Sequence, residues 1–152
     1  MKEQLIYNFF DDDELLRISN KIKETEWKTA GEICISIKEK RSFLQKKKTL
    51  RELAENEFYR LGIVKTRDST GILFFLVLEE RQFYILADKG INEKVSPNTW
   101  DQIKDKMQER FLNGEFCKGI LFGIEEAGKI LNAHFPVKTD DTNELSNRVN
   151  II

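Results

Sequence analysis

The sequence predicts an α/β domain with helices on both faces of a central mixed sheet. Ile72–Leu78 is an unbroken apolar run that is short for a helix, which is typical of a strand buried on both faces. Gln82–Ala87 follows three charged residues and is rich in β-branched and aromatic side chains, which predicts an antiparallel hairpin. A helical segment between the strand at Glu32–Lys38 and Ile72–Leu78 predicts that these two strands are parallel and joined by a right-handed crossover.

The first half of the chain predicts a helix, a strand and a second helix. Asp11 or Asp12 can cap a helix that continues to Trp27, because apolar residues recur at helical spacing behind them. In Glu32–Lys38 isoleucine alternates with polar or small residues, which predicts a strand with one face in the core. Leu50–Leu61 then carries the apolar stripe of an amphipathic helix.

The second half predicts two more helices after the hairpin. A loop is expected first, and then Ser96 as N-cap with Pro97 in the first turn of a helix that continues to Phe111. Asn113–Gly114 breaks this helix, and Phe116–Leu131 forms the last one. Three glycines of the last helix predict close packing against the sheet; they are Gly119, Gly123 and Gly128.

Length and composition indicate one globular domain. The chain has 152 residues, and we expect residues 1–136 to form the domain and residues 137–152 a polar C-terminal tail. The net charge of −1 gives no overall attraction to nucleic acid, and no apolar run is long enough to span a membrane. The N-terminal residues lack the apolar centre of a secretory signal, so a cytoplasmic location is expected.

The residues that usually carry catalysis are sparse. Cys34 and Cys117 stand among apolar residues, which predicts reduced core thiols. His134 is the only histidine and lies near the end of the last helix, where a capping or surface role is expected. The absence of CxxC, HExxH and glycine-rich phosphate-binding motifs argues against zinc and nucleotide sites.

One segment is strongly basic. It could hold a phosphate or an acidic partner, or it could be a solvated loop that leads into the second helix. Aromatic residues do not interleave there in the pattern of a nucleic-acid platform. The basic residues are Lys38, Lys40, Arg41, Lys46, Lys47, Lys48 and Arg51.

Three acidic residues are predicted to meet at one edge of the sheet. The start of the Ile72 strand lies beside the end of the antiparallel hairpin strand, so Asp68 and Asp88 should approach each other there, and the parallel strand brings Glu32 to the same edge. Carboxylate oxygens suit a hard cation such as Ca²⁺ or Mg²⁺, with Ser69, Thr70 and loop carbonyls as further ligands. The alternative is that Asp68 and Asp88 only cap turns.

Five segments in order give the chain a family resemblance. Over residues 11–134 it resembles the TPM domain family, a group of thylakoid acid phosphatase-like domains, in a short soluble form without signal peptide or membrane anchor. The segments are Thr29–Ile33, Asp68–Leu73, Glu79–Arg81, Asp88–Gly90 and Asn113–Phe116.

The resemblance implies an α/β/α sandwich, whose central mixed sheet we expect to have about four strands. It also implies a divalent cation, notably calcium, bound at an acidic cleft in some members. By position, the acidic loop of the family falls on Asp68 and the end of its hairpin on Asp88.

Two functions follow as hypotheses. The first is a cation-binding module that holds calcium or magnesium through Asp68, Asp88 and Glu32 and works through a protein partner. The second is a metal-dependent acid phosphatase that acts on phosphomonoesters, in which Lys89 or the Lys46–Lys48 cluster neutralises the phosphate. No residue of a phosphatase motif is evident as a nucleophile, which favours the first hypothesis.

Overall fold

A computed structural model describes residues 4–63, 69–136 and 149–152. Short 3-10 helices at Leu5–Asn8 and Phe43–Gln45 accompany the main elements. In chain order these are α1 (Asp12–Glu26), β1 (Glu32–Lys38), α2 (Leu50–Arg60), β2 (Gly71–Val77), β3 (Gln82–Ala87), α3 (Lys89–Asn92), α4 (Thr99–Leu112), α5 (Phe116–His134) and β4 (Asn150–Ile151). Within the described ranges, none of the helices has the length and apolar character needed to cross a bilayer.

The four strands form one mixed sheet in the order β3-β2-β1-β4. β1 and β2 are parallel, and β2 and β3 form the antiparallel hairpin. β4 pairs with the other edge of β1, also in parallel. The predicted hairpin, the parallel pairing of β1 with β2 and the mixed sheet of about four strands are therefore confirmed.

Helices cover both faces of this sheet, which confirms the α/β/α sandwich. On one face α1, α4 and α5 enclose the larger core, to which β1 contributes Ile33, Ile35 and Ile37. On the other face α2 packs against Cys34 and the alternate residues of β2. All seven residues of β2 are buried, as expected for an uninterrupted apolar strand between two layers.

The glycines of α5 allow close packing, although mainly against helices. A Cβ atom on Gly119 would lie 2.4 Å from Cε1 of Phe111 in α4, and one on Gly128 would lie 2.4 Å from Cγ2 of Thr25 in α1. Gly123 reaches the sheet as well, because its Cβ would lie 3.0 Å from Cε1 of Phe74. The predicted close packing is present, with α1 and α4 as the principal neighbours.

Three local features differ from the sequence-based expectations. α3 replaces the expected loop because Asp88 caps it. α4 begins at Thr99 rather than Pro97, since the Ser96 hydroxyl lies 3.0 Å from Oδ1 of Asn98 and 2.9 Å from Oγ1 of Thr99 and stabilises a turn before the helix. β4 adds the last residues of the chain to the sheet, within a segment that reads as a polar tail.

Candidate functional site

Glu32, Gly71 and Asp88 form one row across the end of the sheet. Glu32 pairs with Gly71 in the parallel register of β1 and β2, and the Asp88 N–H donates to the Gly71 carbonyl at 2.9 Å. Glu32 and Asp88 therefore flank Gly71, at the edge where the sequence placed them. Asp68, the third residue of the predicted set, lies outside the described residues.

Both side chains of this row belong to the α2 face of the sheet. Strand alternation puts Glu32 on the same face as Cys34, which packs against α2. Ala87 faces the larger core on the other side of the sheet, so the next residue, Asp88, faces α2 as well. Two strand spacings separate their Cα atoms by about 10 Å. The side chain of Ile63 lies over Gly71 between them, since a Cβ on Gly71 would be 2.0 Å from its Cγ2.

Asp88 is held in place by a short helix. One of its carboxylate oxygens accepts a hydrogen bond from the Lys89 N–H at 2.8 Å, which makes Asp88 the N-cap of α3. Asn92 at the end of α3 donates to the Ala87 carbonyl at 2.9 Å and accepts from the indole N–H of Trp100 at 2.9 Å. One carboxylate oxygen of Asp88 therefore caps a helix, as in the alternative interpretation of the sequence. This hydrogen bond also fixes the position of the carboxylate.

The backbone just before Gly71 is strained. Ser69 has φ of 54°, in the left-handed region that a residue with a side chain seldom adopts. Thr70, which follows, is buried, and its carbonyl accepts the Glu32 N–H at 3.2 Å. Such strain persists only where surrounding contacts impose it, and it is enriched at ligand sites. Serine has no intrinsic preference for this conformation, so the sequence carried no signal for it.

Known proteins share this fold and the order of its motif segments. The model of the TPM domain matches residues 7–130, which is most of the chain. The chain belongs to the TPM domain family. A search of curated proteins gave no significant match.

Solved structures share the architecture of this TPM domain. The NMR structure of the BA42 protein from the psychrophilic bacterium Bizionia argentinensis is 32% identical and covers 95% of this chain and 96% of its own, with a TM-score of 0.84. The N-terminal domain of a protein from P. gingivalis is 16% identical, covers 84% and 79%, and has a TM-score of 0.67. The N-terminal domain of the cg2496 protein from Corynebacterium glutamicum is 12% identical, covers 89% and 81%, and has a TM-score of 0.62. The last two likenesses show the fold alone.

Two further carboxylates of the TPM domain lie close to β1. Glu57 is 5% exposed and accepts hydrogen bonds from the Ser36 hydroxyl at 2.5 Å and from Nε of Arg60 at 2.6 Å. Glu26 accepts the Ile33 N–H at 2.8 Å on the open edge of β1. Neither residue was predicted from the sequence to contribute to a site. The position of Glu57 could have been noticed in the sequence, because it falls on the apolar stripe of α2, where a buried carboxylate needs a partner.

The thiol of Cys34 is kept neutral by burial and by nearby carboxylates. Burial, helped by the negative charges of Glu26, Glu32 and Glu57, raises the pKa of Cys34 from 9.0 to about 12. Burial likewise raises the pKa of Cys117. Both cysteines are free and buried, which confirms the prediction of core thiols.

We expect neither thiol to react with a disulfide reagent at pH 8 while the protein is folded, and both to react in urea. Because the pKa of Cys34 is higher in the folded state, the unfolded thiol ionises first. The free energy of unfolding should therefore fall as the pH rises from about 9 towards about 12. Thiol titration and urea denaturation across this range measure both effects. A fast-reacting thiol at pH 8 would contradict the burial of both cysteines.

The Lys46–Lys48 cluster lies at the opposite end of the sheet from Glu32. The segment that contains it follows the last residue of β1, and the Leu78 N–H at the hairpin tip donates to the Lys38 carbonyl at 2.9 Å. A strand of this length spans about 20 Å. A phosphate held beside Asp88 would therefore lie far from this cluster, which favours Lys89 for the predicted role of neutralising the phosphate. This separation could have been predicted from the sequence, because Glu32 begins β1 and the lysines follow its end.

Within the described ranges, no group of three or more His, Cys, Asp or Glu residues has a geometry suited to a metal ion. Asp68 lies outside those ranges, so the predicted set of three is represented by Glu32 and Asp88 alone. His134 is exposed in the last turn of α5, with its ring 6.4 Å from that of Phe135. This position suits the surface role expected of it.

Proposed function

We propose that this TPM domain binds a divalent cation, calcium or magnesium, at the sheet end that carries Glu32 and Asp88, and that it acts through a protein partner. Asp68, which precedes the strained Ser69 in the sequence, is the third proposed ligand. The observation that carries the proposal is the row in which Glu32 and Asp88 flank Gly71 on one face of the sheet.

The spacing of the two carboxylates suits an ion between them. Their Cα atoms are about 10 Å apart, and the two side chains together with metal–oxygen distances of about 2.3–2.6 Å can bridge that gap. Because Ile63 covers Gly71 on this face, we place the ion beyond the ends of the strands, with Ser69 as a further source of oxygen ligands.

The charge around β1 supports a cation. Glu32 is 3% exposed, and Glu26, Glu32 and Glu57 all act on the thiol of Cys34. Carboxylates that are close together in a partly buried setting repel one another, and a cation relieves this repulsion. The ion would therefore stabilise the folded domain as well as occupy a site.

Calcium titration of Asp88→Asn and Glu32→Gln tests the proposal. We expect each substitution to weaken calcium binding by at least about tenfold, since each removes one ligand charge. Asparagine caps a helix as well as aspartate does, so Asp88→Asn leaves α3 intact and separates ligation from capping. Isothermal calorimetry measures the affinity.

The matched control is Glu109→Gln, which removes an exposed carboxylate on α4 and should leave calcium binding unchanged. Thermal melting supplies a second readout, because an ion at one hundred times its dissociation constant stabilises the folded state by about 2.7 kcal/mol. Wild-type protein that neither binds calcium or magnesium nor melts higher in their presence would refute the proposal. Asp88→Asn with unchanged affinity would limit Asp88 to its capping role.

In the phosphatase hypothesis, Lys89 is the described residue next to Asp88 that would neutralise the charge of the phosphate. Two candidate nucleophiles near the row are poorly suited to covalent catalysis. The thiol of Cys34 is held neutral, and the hydroxyl of Ser36 belongs to a residue that is fully buried and out of reach of a phosphomonoester. Turnover of p-nitrophenyl phosphate that requires both a divalent cation and Asp88 would favour catalysis over binding.

A further inference from the structure

Two large apolar side chains project from the loop between β1 and α2. Phe43 is 83% exposed and Leu44 is 85% exposed, the two highest values among the exposed large hydrophobic residues of the described chain. They are neighbours in a 3-10 turn, so together they form one apolar tip and are not two scattered residues. An exposed apolar group of this kind is typical of an interaction surface.

The loop holds these side chains outward in a defined conformation. The Arg41 guanidinium donates to the carbonyl of Gln45 at 3.2 Å and to that of Lys48, and it forms a two-pronged ion pair with Glu80 at the hairpin tip, with one contact of 3.1 Å. The Ser42 N–H donates to Oε1 of Gln45 at 3.0 Å and closes the turn from the other side. Little conformational entropy remains to be lost when the tip binds a partner.

Lysines surround the apolar tip. Lys40, Lys46, Lys47 and Lys48 are exposed, and Nζ of Lys46 lies 5.8 Å from the centre of the Phe43 ring. Among the residues that the structure describes, no carboxylate forms an ion pair with any of these four lysines. Positions 38–51 contain seven basic residues and one acidic residue, in a chain whose net charge is −1.

The nearby acidic groups are mostly engaged. Glu39 accepts the Ile6 N–H at 2.8 Å, Glu52 belongs to the capping box of α2, and Glu80 pairs with Arg41. Glu79 at the hairpin tip is exposed and is the remaining negative charge close by. The loop therefore presents a strong local positive charge around the apolar tip.

We propose that the Phe43–Leu44 tip and its lysines dock this domain on an anionic lipid bilayer. The apolar pair would enter the boundary between headgroups and acyl chains, while the lysine ammonium groups stay at the level of the lipid phosphates. A nucleic acid would use the lysines but has no favourable place for Leu44, because an aliphatic side chain does not stack on bases. This inference concerns the end of the sheet opposite to Glu32 and is independent of the proposed cation site.

Co-sedimentation with vesicles tests the docking surface. We expect the full chain to sediment with phosphatidylcholine vesicles that contain phosphatidylserine, and to stay in solution with phosphatidylcholine alone. Replacing the three lysines of the cluster, Lys46→Gln, Lys47→Gln and Lys48→Gln, should weaken partitioning by about 100-fold. Phe43→Ser with Leu44→Ser should weaken it by at least about tenfold. The buffer contains EDTA, so that binding through a calcium bridge does not contribute.

Matched controls make the same chemical changes elsewhere. Leu16→Ser with Trp27→Ser removes two apolar side chains, in α1 and directly after it, that are 59% and 74% exposed. Lys94→Gln, Lys104→Gln and Lys106→Gln removes three exposed positive charges. Both control sets should partition like wild type. All substituted residues are exposed, so circular dichroism should show that every variant is folded.

A tryptophan at the tip reports insertion directly. In Leu44→Trp, brominated lipid should quench more fluorescence than in the wild type, whose tryptophans are Trp27 and Trp100. Absence of sedimentation with anionic vesicles at low salt would overturn the proposal. Sedimentation of the Phe43→Ser, Leu44→Ser variant at the wild-type level would also overturn it, since the lysines alone would then bind any polyanion.

Discussion

Replacing Phe74 with alanine is expected to lower the free energy of unfolding by about 3–5 kcal/mol. Phe74 is fully buried at the centre of β2, between Ile35 of β1 and Ile85 of β3 in the sheet register. Its ring also lies close to the backbone of α5 at Gly123, where a Cβ atom would be 3.0 Å from Cε1. Alanine would leave a cavity where the sheet and α5 meet. Urea denaturation followed by circular dichroism measures the loss.

Phe43→Ala provides the control, because it makes the same change at a side chain that is 83% exposed. It should alter the free energy of unfolding by no more than about 0.5 kcal/mol. If the two variants were equally stable, the assignment of Phe74 to the core between sheet and helices would be wrong. The pair also confirms that loss of vesicle binding in a Phe43 variant does not come from unfolding.

Much of the fold could be predicted from the sequence because local patterns of apolar and charged residues determine it. The apolar run Ile72–Leu78 identified the central strand, and the charges of Glu79–Arg81 identified the hairpin tip. The helix between β1 and β2 determined their parallel pairing, since a crossover of this length returns in the same direction. These features depend on residues that are close in sequence, where hydrophobic period and turn chemistry give a clear signal.

The features that could not be predicted depend on tertiary contacts. β4 has only two residues, too few for an alternating pattern, and it exists because the edge of β1 offers backbone partners. The side chain of Asn150, the first residue of β4, donates to the Ile35 carbonyl at 3.2 Å and strengthens this pairing. α3 has four residues and is too short for a helical period, so its existence follows from the cap at Asp88.

The candidate site was predicted in part for the same reason. Strand direction and pairing placed Glu32 and Asp88 in one row, because both follow from the hairpin and the crossover. The sequence could not indicate that Ile63 covers Gly71 between them, because no local pattern relates these two residues. It could not indicate that Ser69 is left-handed either, because serine seldom adopts that conformation. The side chains at the row were predictable, and the shape of the space around them was not.

Gly71→Ala is expected to lower the free energy of unfolding by about 1–3 kcal/mol, because the added methyl group collides with a packed neighbour. The new Cβ would lie 2.0 Å from Cγ2 of Ile63, whose side chain is fully buried. Ile63 is branched at Cβ, so its methyl group cannot move away without a change of rotamer or backbone. Urea denaturation measures the effect.

A double-mutant cycle shows whether this collision is the cause. Ile63→Ala alone should cost about 2–5 kcal/mol through the cavity it leaves, but it removes the colliding methyl group. Gly71→Ala should therefore cost less in the Ile63→Ala background than in the wild type, by about 0.5–3 kcal/mol of coupling. Ile63→Val keeps Cγ2 and should leave the cost of Gly71→Ala unchanged. Equal costs in all three backgrounds would mean that something other than contact with Ile63 requires glycine between Glu32 and Asp88.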